Sequence, residues 1–358
     1  MELARLRKQI DKIDKKVVEN LNIRAKISLE IANAKKANKM STYAPDRESD
    51  VYKRVVSENK GPLLDEHIKT IYREVMSGTL SIEGPMRIAY LGPQATFTHL
   101  ASIKKFGSSV KHVPVNSITE VFAEVEKGRA DYGVVPIENS IEGAVSHTLD
   151  MFMESELKIC SEISLEISHH LLMSQTVKRG PKVKKIYSNP QVFGQCRIWI
   201  EANFPNAELV EVSSTAKAAE IAKKDKTSAC IASSLAAKHY CLRVIAKSIE
   251  DYGHNVTRFL VIGRTEPSQT KEDKTSIMFS IRDKLGALHD MLVPFKKNKI
   301  NLTKIESRPS KRRAWDYYFF VDLQGHHEDT SIKKALKELE KQTTFIKVLG
   351  SYPIGNNT

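Results

Sequence analysis

Apolar residues recur at three- and four-residue spacing from the first turn of the chain: Leu3, Leu6, Ile10, Ile13 and Val17. The register continues through Asn20, Arg24, Ile27, Ile31 and Ala34 with no Gly or Pro to break it. The spacing predicts one long helix with a seam about five heptads in length. At 1.5 Å per residue that helix runs to about 50 Å, too long for one short domain to cover. It needs a partner helix, most simply from a second copy of the chain. Pro45 and Asp46 open a second helix to about Asn59, which Gly61-Pro62 ends. A third runs from about Leu64 to Ile82, and Gly84-Pro85 closes the section.

From Met86 the period changes. Residues 87–91 and 132–136 read as short strands entering Gly- or Pro-containing turns, with a helix from Ile118 to Lys127 between them. Residues 185–187 and 229–232 repeat the pattern, with helices near 191–203 and 214–223. Alternating strands and helices predict α/β layers with parallel sheets, here in two lobes around a cleft. A ligand would sit at the carboxyl ends of the strands. The polar stretch 265–274, TEPSQTKEDK, reads as a linker. After it come strand 275–282, helix 286–298, strands 300–308 and 315–323, helix 330–341 and strand 345–351. That βαββαβ order predicts a small ferredoxin-like α+β domain. The expected domains are therefore 1–84, 86–264 and 275–353.

Composition adds little that contradicts this. A chain of 358 residues suits two or three domains, and 41% hydrophobic with 28% charged residues describes an ordinary globular protein. No apolar run approaches the roughly 18–20 residues that span a bilayer. The opening MELARLRKQIDKID lacks the apolar core of a signal peptide. Cys160, Cys196, Cys230 and Cys241 have no metal-ligand spacing. A cytoplasmic protein without metal or cofactor is expected, with no membrane partner. The net charge of +13 raises nucleic acid as a partner, but it divides evenly: +4 over 1–84, +4 over 85–264 and +5 over 265–358. The runs at 296–297 and 311–313 are short and read as solvated faces. No nucleic-acid partner is expected; a diffuse positive field suits small dianions, which it would steer inward.

Candidate chemistry begins at Arg24, which holds a seam position where an apolar residue would normally sit. Burying a guanidinium there is costly unless an anion pairs with it. Lys35, eleven residues on, lies on nearly the same face. Arg7 is about 100° around and roughly 25 Å away along the helix, so only an antiparallel partner could bring it to Arg24. Arg47 and Glu48 begin the second helix.

These residues, Arg7, Arg24, Lys35 and the PDRE of 45–48, resemble the all-helical chorismate mutase family. The resemblance implies an interlocked dimer of three-helix chains. Arg24 and the partner copy's Arg7 would clamp the two carboxylates of chorismate, and Lys35 would bond its ether oxygen. Arg47 and Glu48 would hold the ring end, with Thr79 and Glu83 completing the pocket. A [3,3] rearrangement needs rigid cationic forks and donors at the oxygen that gains charge, not a nucleophile. Many members have Gln where this chain has Glu83, and a carboxylate donates no hydrogen bond unless protonated. Ala44 replaces an aspartate found in some relatives.

In the middle section polar residues cluster at strand ends: GPQATFTH (92–99), PIENSIEG (136–143), SNPQ (188–191), SST (213–215) and NVTRF (255–259). In this order they closely resemble prephenate dehydratase. The resemblance implies Thr257 as the hydroxyl at the leaving group and Arg258 as a carboxylate anchor or pocket organiser. Thr98, Asn139, Ser140, Ser188, Gln191 and Thr215 would line the cleft as donors. Hydroxide is a poor leaving group, so a donor must assist it. Ala95 stands where Gly is usual, and Asn189 replaces a common His. His169 and His170 match no catalytic position and read as packing.

In the last section, KLGALH (284–289) at a strand-to-helix turn and ESRP (306–309) resemble an amino-acid-binding ACT domain. The resemblance implies a phenylalanine site from Gly286, Ala287, Leu288, Glu306, Ser307, Arg308 and Pro309, with the helix start offering N–H groups to a carboxylate. Feedback inhibition of the dehydratase by phenylalanine follows. The implied assembly is a homodimer or a tetramer of paired dimers. A fused prephenate dehydrogenase would need a GxGxxG turn, and none occurs. A non-catalytic sensor would not need Thr257 beside Arg258 or the full mutase cation set.

Overall fold

The computed structural model describes residues 1–38, 43–175, 183–281, 285–309 and 317–355; Lys284 and the basic run 311–313 lie outside them. Two compact units are present. The first holds Met1–Arg87 with Lys105–Lys111, and the second Ile88–Lys104 with His112–Thr358. Among the described residues no helix is long and apolar enough to cross a membrane.

The first unit contains the three expected helices, α1 (Glu2–Ala37), α2 (Pro45–Glu58) and α3 (Asp65–Glu83). Pro45 occupies the first turn of α2, where its missing N–H costs nothing. Gly61, at φ 74, makes the turn into α3 in the left-handed region that other residues avoid. α3 packs against both α1 and α2. The first half of α1 is uncovered: Leu3, Leu6, Ile10, Ile13 and Val17 are 45 to 62% exposed, and Ala32 is the buried residue of that helix. Residues 105–111 join this unit through α3. Ser108 donates to Glu74 from both N–H and hydroxyl, and Ser109 N–H donates to Ser77 Oγ. A Cβ on Gly107 would lie 2.4 Å from that of Ser77, so only glycine allows the approach.

The second unit opens with β1 (Arg87–Leu91), α4 (Phe97–Phe106), β2 (Lys111–Val115), α5 (Ile118–Glu126), β3 (Tyr132–Asn139), β4 (Gly143–Ala144), α6 (Ser146–Glu154) and β5 (Lys158–Glu166). The chain then crosses to a second lobe of β6 (His170–Ser174), β7 (Lys185–Ser188), α7 (Pro190–Gln195), α8 (Arg197–Asn203), β8 (Glu208–Glu211), α9 (Thr215–Lys224), β9 (Ser228–Ala232), α10 (Ser234–Tyr240) and β10 (Leu242–Ala246). It returns through β11 (Val256–Gly263), which inserts between β3 and β5. The sheets run β2-β1-β3-β11-β5, with β4 beside β3, and β10-β6-β9-β7-β8. This is the two-lobed α/β arrangement expected from the sequence.

The sheets are mixed, not parallel as expected. β1–β3, β7–β8 and β7–β9 are parallel, whereas β11 runs antiparallel to both neighbours and β6 antiparallel to β9 and β10. The double crossing between lobes reverses the returning strand. The single helix expected near 191–203 is two. Asp251 accepts from the N–H groups of Ile198 and Trp199 at 2.9 and 3.0 Å, capping α8 from outside and starting a new helix there.

The C-terminal domain has the expected βαββαβ order: β12 (Asp273–Ile281), α11 (Ala287–Lys297), β13 (Leu302–Pro309), β14 (Tyr317–Gln324), α12 (Thr330–Glu340) and β15 (Thr343–Pro353). Its sheet order is β13-β14-β12-β15. β12 shows why two cores form. Ile277 and Phe279 face α11 and α12 with Met291, Phe295 and Ile332. Met278 faces the other way, into the first lobe's core with Phe122, Phe152, Ile159 and Leu260. The end of the expected linker is ordered: buried Asp273 accepts from Thr270 N–H and hydroxyl at 2.7 Å each, and Lys274 Nζ meets Glu162 at 2.8 Å. Its polar residues are spent on hydrogen bonds, so β12 starts two residues early.

Candidate functional site

Two cavities hold most of the residues expected for the two activities. In the helical unit a pocket of about 460 Å³ is lined by Arg24, Lys35, Arg47, Glu48, Thr79 and Glu83, all six named from the sequence. Arg7, on the exposed part of α1, is not among its lining residues. Thr79 donates its hydroxyl to Val75 O at 2.8 Å, leaving a lone pair that receives Arg24 Nη1 at 3.0 Å. The guanidinium is thereby aimed before any ligand arrives. Glu48 is buried, accepts from Tyr43 Oη at 2.5 Å and lies 2.8 Å from Lys105 Nζ. Burial pushes the Glu83 carboxyl above the usual range, while Lys35, Arg24 and Lys36 pull it back; the net displacement is upward.

In the second unit a cleft of about 620 Å³ is lined by Thr98, Asn139, Gln191, Thr215 and Thr257, as expected. It is also lined by Asn116, Glu142, His169, Gln195 and Asn255, which were not. Register explains the centre: Thr257 on β11 pairs with Asn139 on β3. The orientation of the amides there follows from backbone alone. Asn139 Oδ1 accepts from the N–H groups of Ile141 and Glu142 at 2.9 and 3.0 Å, so the other end of that carboxamide must be its Nδ2. Nδ2 donates to Thr257 Oγ1 at 2.8 Å and to Asn255 Oδ1 at 2.7 Å. Asn255 Nδ2 must then donate to Gln195 Oε1, at 2.9 Å. Gln195 Nε2 accordingly donates to Glu142, and His169 Nε2 meets the same Gln195 Oε1 at 2.9 Å.

Three predicted cleft residues lie elsewhere. Ser188 is fully buried and donates to Ile231 O, tying β7 to β9. Ser140 donates to His254 O and accepts from Val256 N–H, fastening the turn after β3 to β11. Arg258 does not line the cleft, because successive strand residues point to opposite faces and Thr257 takes the cleft side. Its guanidinium is 2.6 Å from Glu138, 3.1 Å from Glu162 and 2.7 Å from Asp322 of β14. Lys304 of β13 pairs with Glu138 and Lys274 of β12 with Glu162. Burial alone would lower the Arg258 pKa; the carboxylates of Asp322, Glu138 and Glu162 and the Tyr352 hydroxyl raise it instead, so Arg258 stays charged. Of the two expected roles, carboxylate anchor or pocket organiser, this geometry favours the second: Arg258 centres a buried ion network joining the first lobe to the C-terminal sheet.

The two departures in the cleft are accommodated locally. Ala95 keeps a left-handed φ of 67, and its N–H donates to His99 Nδ1 at 3.0 Å. Such a conformation costs a non-glycine residue about 1–2 kcal/mol. Asn189 caps α7 by accepting from Val192 N–H.

In the C-terminal domain Gly286 precedes α11 at φ 77. Ser280 of β12 and Arg308 of β13 both pair with Tyr318 of β14, so the start of α11 and the ESRP end of β13 share one edge of the sheet. Along β13, Lys304, Glu306 and Arg308 are partly buried, and Arg308 reaches Asp150 at 3.4 Å. Ile305 and Ser307 are exposed on the alternate face.

Family models match three consecutive stretches: chorismate mutase type II over residues 6–84, prephenate dehydratase over 88–267 and the ACT domain over 275–341. The bifunctional chorismate mutase/prephenate dehydratase of Aquifex aeolicus is 49% identical over 356 residues, 98% of each chain. That of Stutzerimonas stutzeri is 46% identical over 357 residues, again 98% of each. Among solved structures, the prephenate dehydratase of Arthrobacter aurescens in complex with L-Phe aligns with a TM-score of 0.71 at 33% identity, covering 76% of this chain and 92% of that one.

Proposed function

The chain belongs to the bifunctional chorismate mutase/prephenate dehydratase family, and on that premise we propose how its residues divide the work. It rearranges chorismate to prephenate, then converts prephenate to phenylpyruvate with loss of water and carbon dioxide, toward phenylalanine. We assign the mutase to residues 1–84, the dehydratase to 86–264 and the ACT domain to 275–353, all acting in the cytoplasm.

In the mutase pocket Arg24 grips one carboxylate of chorismate, and Lys35 donates to the ether oxygen as its bond breaks. Arg47 and Glu48 hold the ring end. Glu83, in its protonated form, is the second donor to that oxygen. The other carboxylate is met by Arg7 of a second copy, whose α1 covers the exposed seam from Leu3 to Val17. Supporting this are the uncovered apolar stripe and the absence of Arg7 from its own chain's pocket. The assembly is a homodimer.

In the cleft the observation that carries the reading is the fixed Asn139 carboxamide. Because Nδ2 donates to Thr257 Oγ1, the threonine's own proton is left for the cleft. Thr257 donates it as a hydrogen bond to the ring hydroxyl of prephenate. As the ring carboxylate departs as carbon dioxide, its bonding pair enters the ring and the C–O bond breaks; the hydroxide leaves stabilised by that bond. Thr98, Gln191 and Thr215 hold the remaining oxygens, while Ser140, Ser188 and Arg258 shape the walls from behind. Phenylalanine binds at the ACT edge through Gly286, Ala287, Leu288 and Glu306 to Pro309, and restrains the dehydratase. Supporting the effector are the shared sheet edge and the L-Phe of the Arthrobacter structure.

The test is a separation of activities in one protein. Arg24→Ala should abolish chorismate turnover and leave prephenate turnover intact; Thr257→Val should do the reverse. If each variant, correctly folded, retains both turnovers, the assignment fails.

A further inference from the structure

The two chain crossings between the lobes run side by side, and His169 sits on one of them. Ile249 N–H donates to His169 O at 2.9 Å, and His169 N–H donates to Glu250 Oε2 at 2.8 Å. The ring is 1% exposed, meets the edge of Phe97 with centroids 5.5 Å apart, and borders the dehydratase cleft. Its Nδ1 is buried with no hydrogen-bond partner among the described residues. Nothing about its position in sequence suggested this; it lies between β5 and β6, outside any periodic element.

The polarity of the amide chain decides its tautomer. Starting from the two backbone donors at Asn139 Oδ1, every group from Asn139 through Asn255 to Gln195 has one permitted orientation. Gln195 Oε1 is an acceptor at the end of that run, so His169 must carry its proton on Nε2 and donate it there. The Nδ1 tautomer would set two lone pairs against each other. Burial and the neighbouring His170 keep the ring neutral against the opposing pull of Gln195 and Glu250.

We propose that His169 is a positioning residue of the dehydratase: its Nε2–H locks the Gln195 carboxamide, and through Asn255 and Asn139 it holds the Thr257 hydroxyl aimed at the substrate. The proposal rests on the assignment of Thr257 to the leaving group. One end of the relay is pinned by backbone donors on β3's exit turn. The other is held by this imidazole on the lobe crossing at 2.9 Å and, more loosely, by Glu142 at 3.2 Å. Without it, Gln195 Oε1 keeps one donor, Asn255 Nδ2, and the carboxamide is held at its far end only by Glu142 at 3.2 Å; each turn of that amide makes Asn255 follow and sets a donor against the donor Nδ2 of Asn139. The Thr257 proton loses its single direction.

Two amide substitutions distinguish the ring nitrogens, since Gln places its amide nitrogen near Nε2 and Asn near Nδ1. His169→Gln, His169→Asn and His169→Phe would be compared with wild type for kcat and KM on prephenate, with mutase turnover and a urea melt on each sample as the control for folding. His169→Gln should keep kcat within about fivefold. His169→Asn and His169→Phe should lose about ten- to a hundredfold in kcat, the range for a buried partner left unpaired, with KM changed less than about threefold. An active Asn variant beside an impaired Gln variant would overturn the proposal, by making Nδ1 the working atom. Equal loss in all three, or no loss in any, would overturn it as well. Failure of the wild type to consume prephenate would instead remove the dehydratase assignment itself.

Discussion

Replacing Arg258 by Met removes the centre of the ion network without leaving a large void. Three carboxylates, Glu138, Glu162 and Asp322, now face three cations, Arg258, Lys274 and Lys304. The variant leaves three against two, with Glu162 and Asp322 side chains only 4 and 9% exposed. Glu162 keeps Lys274 and the N–H of Gly355, and Asp322 keeps the Ser276 hydroxyl at 2.6 Å. One buried negative charge is uncompensated, a defect that costs about 3–5 kcal/mol. Against a native stability of about 5–15 kcal/mol that is a large fraction. Protonation relieves it. The stranded carboxyl's folded pKa is raised above its unfolded value of about 4, so the deficit is small below that pH and grows as pH rises through the raised pKa. Urea melts at pH 5 and pH 8 measure this, and the loss should be larger at pH 8. Adding Asp322→Asn should recover part of it. KM for prephenate should change little in the folded fraction. A stability change below about 1 kcal/mol at pH 8, with KM raised tenfold or more, would refute the structural role and return Arg258 to the substrate.

Two further outcomes follow from the sites. Mutase kcat/KM should decline as pH rises through the elevated Glu83 pKa, because only the protonated carboxyl donates; Glu83→Gln should flatten that profile, and an unchanged curve in the variant would remove the donor role. Asn139→Asp keeps the acceptor for the two backbone N–H groups but cannot donate to Thr257, whose proton would turn to the new carboxylate. Dehydratase kcat should fall about a hundredfold or more with mutase turnover intact, as for loss of a transition-state donor, and an unimpaired variant would contradict the assigned amide polarity.

Much of this molecule is legible in its sequence where period and chemistry agree. The uninterrupted seam of α1 declared a long helix, and a cation at Arg24's register position declared a site on it. The C-terminal βαββαβ order followed from alternating periods alone. Where the structure sets an expected residue away from the cleft, the cause is physical. Thr257 and Arg258 are neighbours on one strand, and strand alternation, which is readable from sequence, puts them on opposite faces. Gln195 lies one helical turn beyond Gln191, on the same face of α7, and that spacing could have found it. Ser140 and Ser188 were indistinguishable from cleft donors, because nothing in sequence shows that their hydroxyls are spent on backbone carbonyls. His169 carries no pattern at all, being placed by the crossing of two lobes.

The insertion of β11 between β3 and β5 makes that strand a partition wall with the cleft on one side and the ion network to the C-terminal sheet on the other. Adjacent residues open onto the two compartments, and the peptide bond between them is rigid. Hydrogen bonds along both edges hold the strand's two faces in one fixed relation. The guanidinium that meets Asp322 of the C-terminal sheet and the hydroxyl that faces the cleft therefore stand on neighbouring residues, one peptide unit apart.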